Sequence, residues 1–107
     1  MTGPPHNFQI HESPTDDSVR LSLTGELDLS SAPKLRARLA PLRAINSPVR
    51  LDLSKLEFID SAGMHLLIRT IGEARMKGWS FRIEPDVAPQ AMRLLRLFQL
   101  DHCFIGV

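Results

Sequence analysis

Apolar residues in this chain switch repeatedly between a period of two and a period of about 3.6, and the order of those switches restricts the fold more than any other feature. Phe8 and Ile10 alternate with Gln9 and His11, and Val19, Leu21 and Leu23 alternate with Arg20, Ser22 and Thr24. This predicts two strands joined as a hairpin across the turn Ser13–Asp17, with Gly25 closing the second. Leu35, Leu39 and Leu42 then recur at helical spacing behind the cap candidates Ser30 and Ser31 and a proline at Pro33. Val49, Leu51 and Leu53 return to alternation, which ends at Ser54. From Ser61 to Lys77, Met64, Leu67, Ile68, Ile71 and Ala74 follow a helix that Gly78 would terminate. Trp79, Phe81 and Ile83 form a fourth strand, Pro89 opens a third helix through Met92, Leu95 and Phe98 with Leu94, Leu95, Leu97 and Phe98 expected in the core, and Phe104 and Ile105 suggest a last short strand.

The order β-β-α-β-α-β-α-β calls for helical crossovers between parallel strands, added to an antiparallel hairpin. The expected fold is α/β, a mixed sheet of four to five strands. Because the strands alternate, the helices are expected mainly on one face, with the other face wet. At 107 residues the chain is one domain, with residues 1–6 as a flexible N-terminus.

Composition narrows the function classes. Thirteen basic and twelve acidic side chains leave a net charge of +1, too balanced for a nucleic-acid footprint, although ten of the basic residues are arginines and permit local patches. The N-terminus has no apolar secretory core, no stretch is long enough to span a bilayer, and the single Cys103 cannot form an internal disulfide. These features favour a cytoplasmic protein in which Cys103, beside Phe104 and Ile105, is a buried and inert thiol. His6, His11, His65 and His102 lack metal-site spacing, no phosphate-binding glycine loop is present, and Ser61 does not sit in a Gly-x-Ser-x-Gly elbow. No metal, cofactor or enzymatic activity is expected.

The polar cluster Asp60-Ser61-Ala62-Gly63 interrupts apolar residues where a strand passes into a helix. Asp60 can cap that helix, Ser61 would occupy its first turn, and Gly63 permits close approach of another chain. The free N–H groups and positive dipole end suit a phosphate. The hairpin and crossover would also bring Asp28, from Gly25-Glu26-Leu27-Asp28, beside Ser61. Ser61, His65, Arg69 and Glu73 repeat every four residues and form one polar ridge leading away from that serine.

Gly25-Glu26-Leu27-Asp28, Ser31-Ala32-Pro33 with Leu35, Leu51-Asp52-Leu53, Asp60-Ser61-Ala62-Gly63 and Gly78 occur in an order and spacing that resembles a single STAS domain of the anti-sigma factor antagonist family. The resemblance covers nearly the whole chain. It implies that Ser61 is phosphorylated by an anti-sigma factor with serine kinase activity, with Asp28, Asp60, Ala62 and Gly63 around the phosphosite. It further implies that the unphosphorylated form binds this kinase and frees a sigma factor, that phosphorylation ends binding, and that a PP2C-type phosphatase restores it. Ser61, Met64, His65, Arg69 and Glu73 are the expected partner-binding residues, with Met64-His65 standing where relatives often carry Leu-Gly. The protein would be a monomer or weak dimer without direct contact to nucleic acid or membrane. The alternative is a STAS interaction module in another signalling or scaffold complex.

Overall fold

A computed structural model of the protein describes residues 7–97. Its elements are β1 (Phe8–Pro14), β2 (Val19–Leu27), α1 (Ala32–Ala44), β3 (Val49–Ile59), α2 (Ser61–Lys77), β4 (Phe81–Ile83) and α3 (Pro89–Leu97). The described strands form one mixed sheet in the order β1-β2-β3-β4, with β1 antiparallel to β2 and the remaining pairs parallel. This is the expected architecture. The expected strand at Phe104 and Ile105, the N-terminal residues 1–6, Phe98 and Cys103 lie outside the described residues.

Boundaries differ from the periodicity in four places, the first being β1, which runs to Pro14 and so takes in the start of the turn expected at Ser13–Asp17. β2 continues through Gly25 to Leu27, and β3 continues past Ser54 to Ile59. Between Ser22↔Asp52 and Leu27↔Ile59, β3 takes seven steps while β2 takes five. Two irregularities absorb the excess, so Leu53 and Leu56 are both buried although three positions apart. Gly25 makes its own close approach possible. Its φ is +91°, and a Cβ there would lie 1.4 Å from the Asn7 carbonyl oxygen, which accepts the Glu26 N–H at 2.8 Å. Trp79 falls outside β4: its backbone N–H bonds Ala74 O just past the αL cap at Gly78, and its indole N–H donates to Ser47 O at 2.6 Å.

The core gathers Leu21, Leu23 and Leu27 of β2, Val49, Leu51, Leu53 and Leu56 of β3, Leu35 of α1, Met64 and Leu67 of α2, and Leu95 of α3. Leu97, at the end of α3, is exposed rather than buried. Leu21, Leu51 and Ile83 lie in one cross-strand row of the apolar face. Alternation places the row Arg20, Arg50 and Arg82 on the opposite face. That face carries a charge cluster. The Arg20 guanidinium donates to both Glu84 carboxylate oxygens at 2.9 Å and to Asp52 Oδ2 at 3.1 Å, and Arg50 Nε approaches Glu84 Oε2 at 3.4 Å.

Candidate functional site

The ends of β2 and β3 are in register at Leu27↔Ile59, so the residues that follow them emerge side by side. Asp28 leads toward α1 and Asp60 toward α2. Each aspartate organises a helix start. Asp28 Oδ1 accepts the N–H groups of Ser30 at 2.9 Å and Ser31 at 3.0 Å, while Ser31 Oγ accepts the Asp28 N–H and donates to Glu26 O. Ser31 therefore occupies the N-cap position of α1 but spends its buried hydroxyl on the preceding loop.

Asp60 caps α2 as its sequence position predicts: it is extended, with φ −103° and ψ −175°, and Oδ1 accepts the Gly63 N–H at 2.9 Å. Its other oxygen accepts the Leu29 N–H at 3.2 Å, and its own N–H donates to Leu27 O. One carboxylate thus joins the start of α2 to the loop that opens α1.

Gly63 is buried, and the chain that approaches it is the end of β2. A Cβ at this position would stand 2.6 Å from Leu27 O and 3.0 Å from Ile59 Cγ1. Ser61 is the first residue of α2 and is exposed; among the described residues its hydroxyl has no hydrogen-bond partner. It sits in the first turn of α2, at the positive end of that helix, next to the capping Asp60 whose two carboxylate oxygens accept the Gly63 and Leu29 N–H groups.

The expected ridge is partly assembled. Ser61, His65 and Arg69 are exposed, while Glu73 is half-buried and accepts a hydrogen bond from Arg43 of α1 at 2.8 Å. Met64, grouped with these for partner binding, is 1% exposed and packs in the core with Leu67. Its helical phase faces the sheet, so the side chain cannot meet a partner. The ridge borders a groove of about 240 Å³ between α1 and α2, lined by Arg36, Leu39 and Arg43 on one side and Ala62, His65 and Arg69 on the other, with Trp79 also in its wall.

Two features near Ser61 were not expected. Leu29 is 75% exposed and Phe58 is 48% exposed, so apolar surface flanks both strand ends. Phe58 carried a weak signal, since it is an apolar residue directly before Ile59 and the polar cluster that starts at Asp60. Leu29 carried none.

On the sheet face, hydrogen bonding to Glu84 raises the Arg20 pKa above its already high ordinary value. Burial pushes the Asp52 carboxyl up, but hydrogen bonds from Ser54 and Ser22 and the Arg20 charge outweigh it and hold the group below the usual carboxylate range. No group of three or more residues suited to holding a metal occurs among the described residues, and no described helix is long and apolar enough to cross a membrane.

Residues 10–106 match the protein family described as "Mlab, STAS domain". The chain is 28% identical over 94 residues to the anti-sigma-B factor antagonist of Bacillus subtilis (strain 168), covering 88% of this chain and 83% of that one. An anti-sigma factor antagonist from Mycobacterium paratuberculosis superposes with a TM-score of 0.79 at 26% identity, covering 97% of this chain and 88% of the other. The Bacillus cell fate determinant SpoIIAA in its phosphorylated form shares the fold, with a TM-score of 0.71 at 20% identity over 92% of this chain and 88% of that one.

Proposed function

The chain belongs to the STAS-domain family, and on that premise we propose that it is an anti-sigma factor antagonist switched by phosphorylation of Ser61. The unphosphorylated form binds an anti-sigma factor with serine kinase activity and releases a sigma factor. A PP2C-type phosphatase reverses the modification. The protein acts in the cytoplasm by binding and catalyses nothing itself. The observation that carries the reading is the exposed, unpartnered hydroxyl of Ser61 at the start of α2, in a chain whose relatives by sequence and by fold include anti-sigma factor antagonists.

Electrostatics supports a switch that leaves the fold alone. Phosphorylation adds about −1.5 to −2 charge. Two like unit charges about 5 Å apart repel by roughly 3 kcal/mol at an effective dielectric of 20, an upper guide for an exposed site that salt screens. A partner presenting a carboxylate to Ser61 therefore loses affinity. Within the antagonist, the N-terminus of α2 offsets part of the new charge.

Incubation of wild type and Ser61→Ala with ATP and source-cell lysate, followed by peptide mass spectrometry, tests the reading. One phosphate on Ser61, absent from the variant, is expected. No phosphate on Ser61, with a control substrate modified in the same lysate, rejects the switch and favours a STAS module in another signalling or scaffold complex.

A further inference from the structure

We propose that the groove between α1 and α2 is a docking site for an acidic segment of the protein partner, with Arg36 and Arg69 as its two anchors. This deepens the reading above and rests on it for the identity of the partner as the anti-sigma factor. The two helices are joined near Ser61 by the Leu29–Asp60 hydrogen bond and toward their C-termini by the Arg43–Glu73 ion pair. They therefore run side by side in the same sense, with the groove opening between these two links.

Charge decides what fits there. Three arginines line the groove against one carboxylate, and that carboxylate, Glu73, is already held by Arg43. Arg36 and Arg69 are exposed on opposite walls, and among the described residues neither has a carboxylate partner. His65 adds a further donor on the α2 wall. Guanidinium groups bind carboxylates bidentately, and two of them facing each other across a groove suit a chain that presents acidic side chains to both walls. Leu39, Leu66 and Trp79 give the groove apolar surface. An acidic peptide uses both the charged walls and this surface, whereas a small anion uses only the charges. The groove begins at Ala62, next to Ser61. A segment seated in it places the partner against the switch serine, and its own negative charge adds to repulsion from a phosphate there.

Hexaglutamate titrated into the full chain tests this, read by calorimetry and by the emission of Trp79, the single tryptophan. Wild type is expected to bind, with the Trp79 signal changing in step. The double variant Arg36→Gln, Arg69→Gln should weaken binding at least tenfold, and the lysine pair should recover part of the loss. Arg82→Gln on the sheet face should bind as wild type does. The peptide titration needs neither ATP nor a kinase, so it reads this site alone, and its failure is distinguishable from failure of the phosphorylation switch. The proposal is overturned if wild type does not bind hexaglutamate, if the double glutamine variant binds as tightly as wild type, or if inorganic phosphate at equal concentration displaces the peptide completely, which marks a simple anion site.

Discussion

Two groups of arginines lie in this small domain, and they are treated in opposite ways. On the open face of the sheet, Arg20 is bound by Asp52 and Glu84, and Arg50 lies against Glu84. In the groove beside α2, Arg36 and Arg69 face each other without carboxylate partners among the described residues, and only Arg43 is paired. In the first group Arg20 ties β2 to β3 and to Glu84 just past β4, while Arg82, exposed at the end of the row, makes no ion pair among the described residues. In the second, Arg36 and Arg69 make no ion pair among the described residues and leave positive charge in a groove that reaches Ala62, beside Ser61. Charge already satisfied inside the protein belongs to the fold, and charge left open beside an exposed hydroxyl is available to a partner.

Breaking the satisfied cluster gives the largest expected effect. Arg20→Leu removes the cation shared by two buried carboxylates and should cost about 3 kcal/mol in urea denaturation, at the low end for a broken buried pair because the Arg20 side chain is 42% exposed, Arg50 stays beside Glu84, and Ser22 and Ser54 still bond Asp52. A loss below about 0.5 kcal/mol would make this cluster as dispensable as an ordinary surface pair. Gly63→Ala comes next, at about 2 kcal/mol, because the added methyl meets Leu27 O and α2 must shift away from β2. A drop in melting temperature is expected even though Gly63 lies two residues from Ser61.

Asp52→Asn should cost about 1 kcal/mol at neutral pH, and its pH dependence sharpens the contrast. The folded carboxyl titrates below its ordinary value of 3.8. Folding therefore releases protons in that range, and the contribution is complete above about pH 4 and disappears as pH falls through the folded value. Stability curves of wild type and Asp52→Asn should converge there on acidification; a constant gap would assign the loss to packing. At the other extreme, Ser61→Ala and the Arg36→Gln, Arg69→Gln pair should each change stability by less than about 0.5 kcal/mol.

Much of this was legible in the linear chain because local rules govern it. Asp60 three residues before Gly63, followed by helical periodicity, specified a capped helix, and the parallel crossover brought Asp28 beside it. The full length of β3 was hidden, because its two extra residues break the period of two after Leu53. Met64 shows the cost of setting local phase aside: its spacing to Leu67 and Ile71 marks the buried face, and the structure keeps it there. Arg20 and Glu84 are 64 residues apart, so their pairing depends on the order of β2, β3 and β4 rather than on any short motif. The α1–α2 groove was hidden for a similar reason, since the Arg43–Glu73 contact that helps define it spans 30 residues.

The most direct test of the proposed phosphorylation switch is the affinity of an anti-sigma factor with serine kinase activity for this chain with and without phosphate on Ser61, with the melting temperature of each form measured alongside. At least a tenfold loss of affinity with an unchanged or slightly raised melting temperature is the predicted result, the rise coming from the phosphate at the N-terminus of α2. Equal affinity of both forms would contradict the account.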